Sequence, residues 1–134
     1  MTPVFVALTA LFVLVIAGAC VWFLHRRWSR HRLTGWKRAK MLKKWSQAAS
    51  QPDPHRRLLE ADAILDEALA LLSYRGSMAD KLRGAHAYIF DVEQVWRAHK
   101  LRNRIAHEAG FTPTKQELES AVSSLGEAIL RFCR

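Results

Sequence analysis

Acidic residues are missing from the first third of this chain: it has twelve Asp and Glu, and all of them lie from residue 46 onward. Cysteine occurs only at Cys20 and Cys133 and asparagine only at Asn103. Two cysteines are too few for a disulfide scaffold. No run alternates apolar and polar residues over a strand's length, and no internal repeat or low-complexity segment occurs, so sheet and solenoid architectures are excluded. A glycine-rich phosphate loop and a Gly-x-Ser-x-Gly elbow are both lacking, and the His and Cys residues have no zinc spacing. Neither metal nor cofactor is expected.

Half of the residues are apolar, high for a soluble domain of this size, and the excess sits at the N-terminus. Residues 3–24, PVFVALTALFVLVIAGACVWFL, carry no charge. At about 1.5 Å per residue they reach about 33 Å, enough for a hydrocarbon core of roughly 30 Å. A cleaved signal peptide competes with this reading, because Ala17-Gly18-Ala19 imitates a cleavage site and Cys20 follows it as a lipoprotein cysteine would. The apolar run continues through Trp22-Phe23-Leu24, however, and the basic residues follow it rather than precede it, which favours an uncleaved anchor.

Between His25 and Trp45 stand nine Lys or Arg. From residue 46 onward the remaining twelve bases balance the twelve acids, so the net charge of +9 belongs to the segment that follows the anchor. The positive-inside rule then puts the N-terminus outside and the rest in the cytoplasm of a single-pass inner-membrane protein. Cys133 has no partner on its own side of the membrane, which suits a reducing compartment. Trp28, Trp36 and Trp45 interleave with the bases, a pattern suited to lipid headgroups and also to phosphate contact with base stacking on RNA. The high isoelectric point is therefore no evidence for a nucleic-acid-binding domain.

Residues 46–53, SQAASQPD, read as a linker, with Asp53 capping a helix whose first residue is Pro54. That helix runs to about Ser73 with Leu58, Ala61, Leu65, Ala68, Leu69 and Leu72 on one face, and Asp62 lies at the edge of that face, a candidate partner for Arg102 although solvent is its default surrounding. Ser77 and Asp80 start a short helix. Tyr88, Ile89 and Phe90 are expected in the core, and Asp91 caps the next helix. Thr114 and Glu117 form a capping box ahead of Leu118, Val122, Leu125, Ile129 and Phe132. The expected architecture is all-α: an anchor over residues 1–24, a basic juxtamembrane segment and linker over 25–52, and an antiparallel helical bundle over 53–134. So thin a core gains from docking against a second copy, and tethering favours a homodimer.

The polar chemistry concentrates in WRAHKLRNRIAHEAGF, residues 96–111. On an ideal helix Val95, Ala98, Ile105, Ala106 and Ala109 share one sector with Leu101 at its margin, and Arg102 falls inside it. A guanidinium there must be paired within the fold, meet a second subunit or line a pocket. Trp96, His99, Asn103 and His107 form the adjoining strip.

The pattern Arg-Asn-x-x-x-His at Arg102, Asn103 and His107 resembles the HEPN superfamily, over roughly residues 54–133. The resemblance implies a HEPN-like bundle and metal-independent RNA cleavage that leaves a 2′,3′-cyclic phosphate. In that scheme His107 is the general acid or base, Arg102 stabilises phosphoryl charge, Asn103 orients the imidazole or holds a phosphate oxygen, and Trp96 and His99 line the groove. Five residues separate Arg102 from His107, about 140° around a helix, so both serve one phosphate only from two subunits or across a loosened helix. The alternative is a non-catalytic, membrane-tethered scaffold that engages a partner protein, with the same residues holding the bundle together.

Overall fold

The computed structural model describes residues 3–29 and 31–134, and the side chains of residues 4 and 26–29 lie outside the description. Its described residues are helical and form no strand, in two separate compact units, residues 1–31 and 32–134. The first unit is a single helix, α1 (Pro3–Ser29). Within it Phe5–His25 has a mean hydropathy of 2.6, apolar and long enough to cross a membrane, and its large side chains are exposed throughout.

The second unit is a bundle of five helices, α2 (Gly35–Ala49), α3 (Pro54–Leu71), α4 (Met78–Ala85), α5 (Val92–His107) and α6 (Lys115–Phe132), with a single 3₁₀ turn at His86–Tyr88. Its starts are set locally. Asp53 accepts from the His55 amide ahead of Pro54, and Asp91 accepts from the Gln94 amide. Two reciprocal capping boxes, Ser77 with Asp80 and Thr114 with Glu117, satisfy amides that the first turns of α4 and α6 leave without helical partners. Gly110, at φ +80°, turns the chain after α5 in the left-handed region that glycine enters without strain.

The core is built on α3 and α6, with α2 and α5 packed against them. Leu58, Leu65 and Leu69 from α3 meet Leu118, Leu125, Ile129 and Phe132 from α6, all within 2 % of full burial. Each such side chain contributes roughly 1.5–3 kcal/mol relative to exposure.

The bundle begins earlier than the expected boundary at residue 53. Helix α2, read from its charge as a juxtamembrane flank, buries Met41 and Ala48 completely and lays Trp45 onto α6. A β-carbon at Gly126 would lie 2.3 Å from Trp45 Cζ2, so a glycine is what lets the indole in. The start of the unit is stitched to the end of α6: the Leu33 amide donates to the Phe132 carbonyl at 2.7 Å, and Arg38 Nε donates to the Cys133 carbonyl. On its flank Lys40 and Lys44 both pair with Glu67 of α3. The first half of the expected linker, residues 46–49, is thus the last turn of α2. Thr34 precedes this helix without a side-chain capping bond.

Two other expectations are corrected. Phe90 is 84 % exposed while its neighbour Ile89 is buried, because the turn after the 3₁₀ segment directs only one of the pair inward. On α5 the expected apolar sector is buried only at Val95 and Ala98; Leu101 and Ile105 are half-covered, and Ala106 and Ala109 face solvent. Periodicity fixes the direction of a face, whereas the reach of the neighbouring helices fixes how much of it is covered.

Candidate functional site

Arg102 is paired inside the fold. Its partner is Asp62 of α3, whose side chain is only 7 % exposed, so solvent is not its default surrounding after all. Arg102 Nε stands 3.5 Å from Asp62 Oδ2, an ion-pairing distance at which it forms no hydrogen bond. The second carboxylate oxygen, Oδ1, lies 2.9 Å from His99 Nδ1. His99 Nε2 lies 3.2 Å from Asn103 Nδ2, and Asn103 Oδ1 lies 3.0 Å from Arg102 Nη1. Four side chains from two helices therefore close a ring.

The direction of every bond in that ring follows from one fact: a guanidinium can only donate. Arg102 Nη1 must donate to Asn103 Oδ1, which leaves Asn103 Nδ2 as a donor. His99 Nε2 must then accept, so the imidazole in this arrangement is neutral, with its proton on Nδ1 donated to the Asp62 carboxylate. Within the ring one cation faces one anion, and both nitrogens of His99 are occupied. Trp96 covers one side, its ring 6.3 Å from that of His99 at an interplanar angle of 71°, and the Arg83 guanidinium stands 6.0 Å from the centre of a Trp96 ring.

Of the residues singled out from the sequence, the structure brings together Trp96, His99, Arg102 and Asn103. His107 is not among them. Helix α5 runs regularly through His107 before Glu108 caps it in extended geometry, so the separation of about 140° from Arg102 stands, with about 7.5 Å of rise between them. His107 is exposed, one turn beyond Asn103. Its sequence neighbours are engaged elsewhere: Arg104 pairs with Glu108 at 2.8 Å and stacks 3.8 Å from the Phe111 ring centre.

The residue that sequence reasoning underweighted is Asp62. It lies within one turn of Leu58, Ala61 and Leu65, and a carboxylate that close to a buried seam was the available signal. His86 sits outside the cluster, exposed, with Nδ1 2.8 Å from the Arg83 carbonyl. Two clefts, of about 370 and 720 Å³, lie along α5 and α6, and none of Asp62, His99, Arg102, Asn103 or His107 lines either of them. Among the described residues no group of three His, Cys, Asp or Glu side chains is placed to hold a metal ion. Burial pushes the Cys133 thiol up despite nearby Arg38, which makes it a poor nucleophile.

Compared with protein-family models, curated proteins and solved structures, the chain matches none.

Proposed function

We propose that this chain is a membrane-tethered, HEPN-like helical module that engages a partner protein without turning over a substrate. Helix α1 serves as the single span of an inner membrane, with the N-terminus outside and the bundle in the cytoplasm. Support for the tether is the uncharged run of residues 3–24 followed by nine bases and no acid up to residue 45. Support for the non-catalytic reading is one observation: within one protomer His99 bonds the buried carboxylate of Asp62, Arg102 is ion-paired with it, and Asn103 links the two. A group that must stabilise charge in a transition state is most effective when its donors are directed at the reacting atoms, and these are directed at one another.

Cleavage of RNA is the second reading, favoured by the exposure of 35 % of the Arg102 side chain and by an imidazole, His107, open to solvent. It requires a homodimer, since Arg102 and His107 of one helix diverge. The deciding experiment incubates the full chain, purified in detergent, with total RNA beside a His107→Ala variant. The expected outcome is no 2′,3′-cyclic phosphate ends above background from either protein. Ends produced by the wild type and lost in His107→Ala would overturn the module reading in favour of the nuclease.

A further inference from the structure

Helix α2 is two-faced. Its inner side, Met41, Ala48 and the half-buried Trp45, is locked into the bundle against α3 and α6. Its outer side carries Trp36, Lys40 and Lys43 at i, i+4 and i+7, one stripe about 100–160° around the helix from Met41. Trp36 is 66 % exposed, although a large aromatic on a soluble surface normally finds cover. Lys43 is exposed and has no acidic partner among the described residues. Lys40 and Lys44 share a single carboxylate, Glu67, so this flank keeps an excess of positive charge. Arg32, also exposed, adds a cation ahead of the helix in the sequence.

We propose that the Trp36, Lys40 and Lys43 stripe is a docking surface for the anionic lipid headgroups of a bilayer. The inference rests on the anchor reading of α1. Three observations select the occupant. The stripe pairs an amphipathic ring with cations, the combination suited to an interface where one side is apolar and the other anionic. No acid occurs on α2 or before it to oppose that charge. Only residues 30–34 join the end of α1 to α2, a tether of about 20 Å at full extension, so a bilayer holding α1 is always within reach. Because α2 is also welded to α6 through Trp45 and Gly126, engagement of its outer stripe would orient the whole bundle against the leaflet.

The test uses the full chain in lipid nanodiscs of phosphatidylcholine alone or with phosphatidylglycerol. Incorporation is read first, as co-elution with discs in high salt. Amine-reactive labelling then follows Lys40 and Lys43, with exposed Lys100 and Lys115 as internal references. In anionic discs at low salt, labelling of Lys43 falls about fivefold, the equilibrium worth of one lysine at an anionic surface. Added salt restores it. A Trp36→Ala, Lys43→Glu double variant, altered only at exposed positions, loses the protection at Lys40. Equal labelling in both kinds of disc, with the chain incorporated, overturns the docking surface and leaves the anchor intact. A chain that does not incorporate overturns the anchor, and the docking surface falls with it. Protection by total RNA in phosphatidylcholine discs, with none from anionic lipid, overturns the proposal in favour of nucleic acid.

Discussion

Asp62 is the residue on which the polar ring depends. Replacing it with alanine leaves a guanidinium without its counter-ion and an imidazole N–H without an acceptor, both largely out of water. Asp62→Ala is expected to destabilise the bundle by about 2–4 kcal/mol, less than a fully buried pair would lose because Arg102 is partly solvated. His107→Ala is expected to stay within about 0.5 kcal/mol of the wild type, as an exposed side chain with no bonded partner among the described residues. Chemical denaturation of both variants checks the contrast, and equal losses would mean that the ring does not brace the fold. Sequence reasoning reached Arg102 as a residue in need of a partner, because a charge on an apolar helical sector is legible by period alone. The ring itself was not legible. His99 and Asp62 stand 37 positions apart, and only the packing of α3 beside α5 decides that they meet.

At the scale of the elements, the caps were the most readable feature. Asp53, Ser77, Asp91 and Thr114 all perform the capping expected of them, because a cap depends on residues two or three positions away and little else. Their chemistry gives a pH prediction. Hydrogen bonds from the Thr114 amide and hydroxyl hold the Glu117 carboxyl below its ordinary value near 4.5, and the hydroxyl and amide of Ser77 do the same for Asp80. On Glu67, burial pushes the carboxyl up, but the bonds and charges of Lys40 and Lys44 together outweigh it and the net direction is down. A lowered carboxyl contributes stability that is fully present above the unfolded value and disappears as pH falls through the folded value. Glu117→Gln should therefore be less stable than the wild type at neutral pH, with the difference shrinking as pH falls below the ordinary carboxyl value and vanishing below the lowered folded value, and melting curves across acid pH check it.

Helix α2 was the element least legible in advance. Five of its fifteen residues are Lys or Arg, which pointed to a solvated or lipid-facing flank. Its seam of Met41, Leu42, Trp45 and Ala48 becomes meaningful only once a glycine 81 positions from Trp45 is known to face it. Gly126→Ala should cost about 1–3 kcal/mol through overpacking against the indole. Truncation at Trp45→Ala removes the atoms that clash, so in that background the same glycine replacement should cost less. Additive losses in the double-mutant cycle would show that the two positions do not touch.

For the whole molecule, length, charge asymmetry and apolar patterning were sufficient to anticipate an all-helical chain with one apolar N-terminal helix. These are bulk properties that no single contact can overturn. Where the folded unit starts was not anticipated, since composition changes at residue 46 whereas packing begins near Leu33. Extraction of membranes with alkaline carbonate should leave the full chain in the pellet. A chain in which Phe12, Val13, Leu14 and Val15 are replaced by Asp or Lys should be released. Release of the wild type would mean that α1 is not a span.

The backbone bond from Leu33 to the Phe132 carbonyl brings residues 33 and 132 to the same end of the bundle. Sewing residue 134 directly to residue 32 would need only a few linking glycines, and the chain could then be reopened at the exposed bend between α2 and α3, around Pro52, where no helix is cut. A rearranged bundle of that kind would keep every inter-helix contact while parting company with the apolar leader, giving a water-soluble form in which the ring around Asp62 can be studied free of lipid.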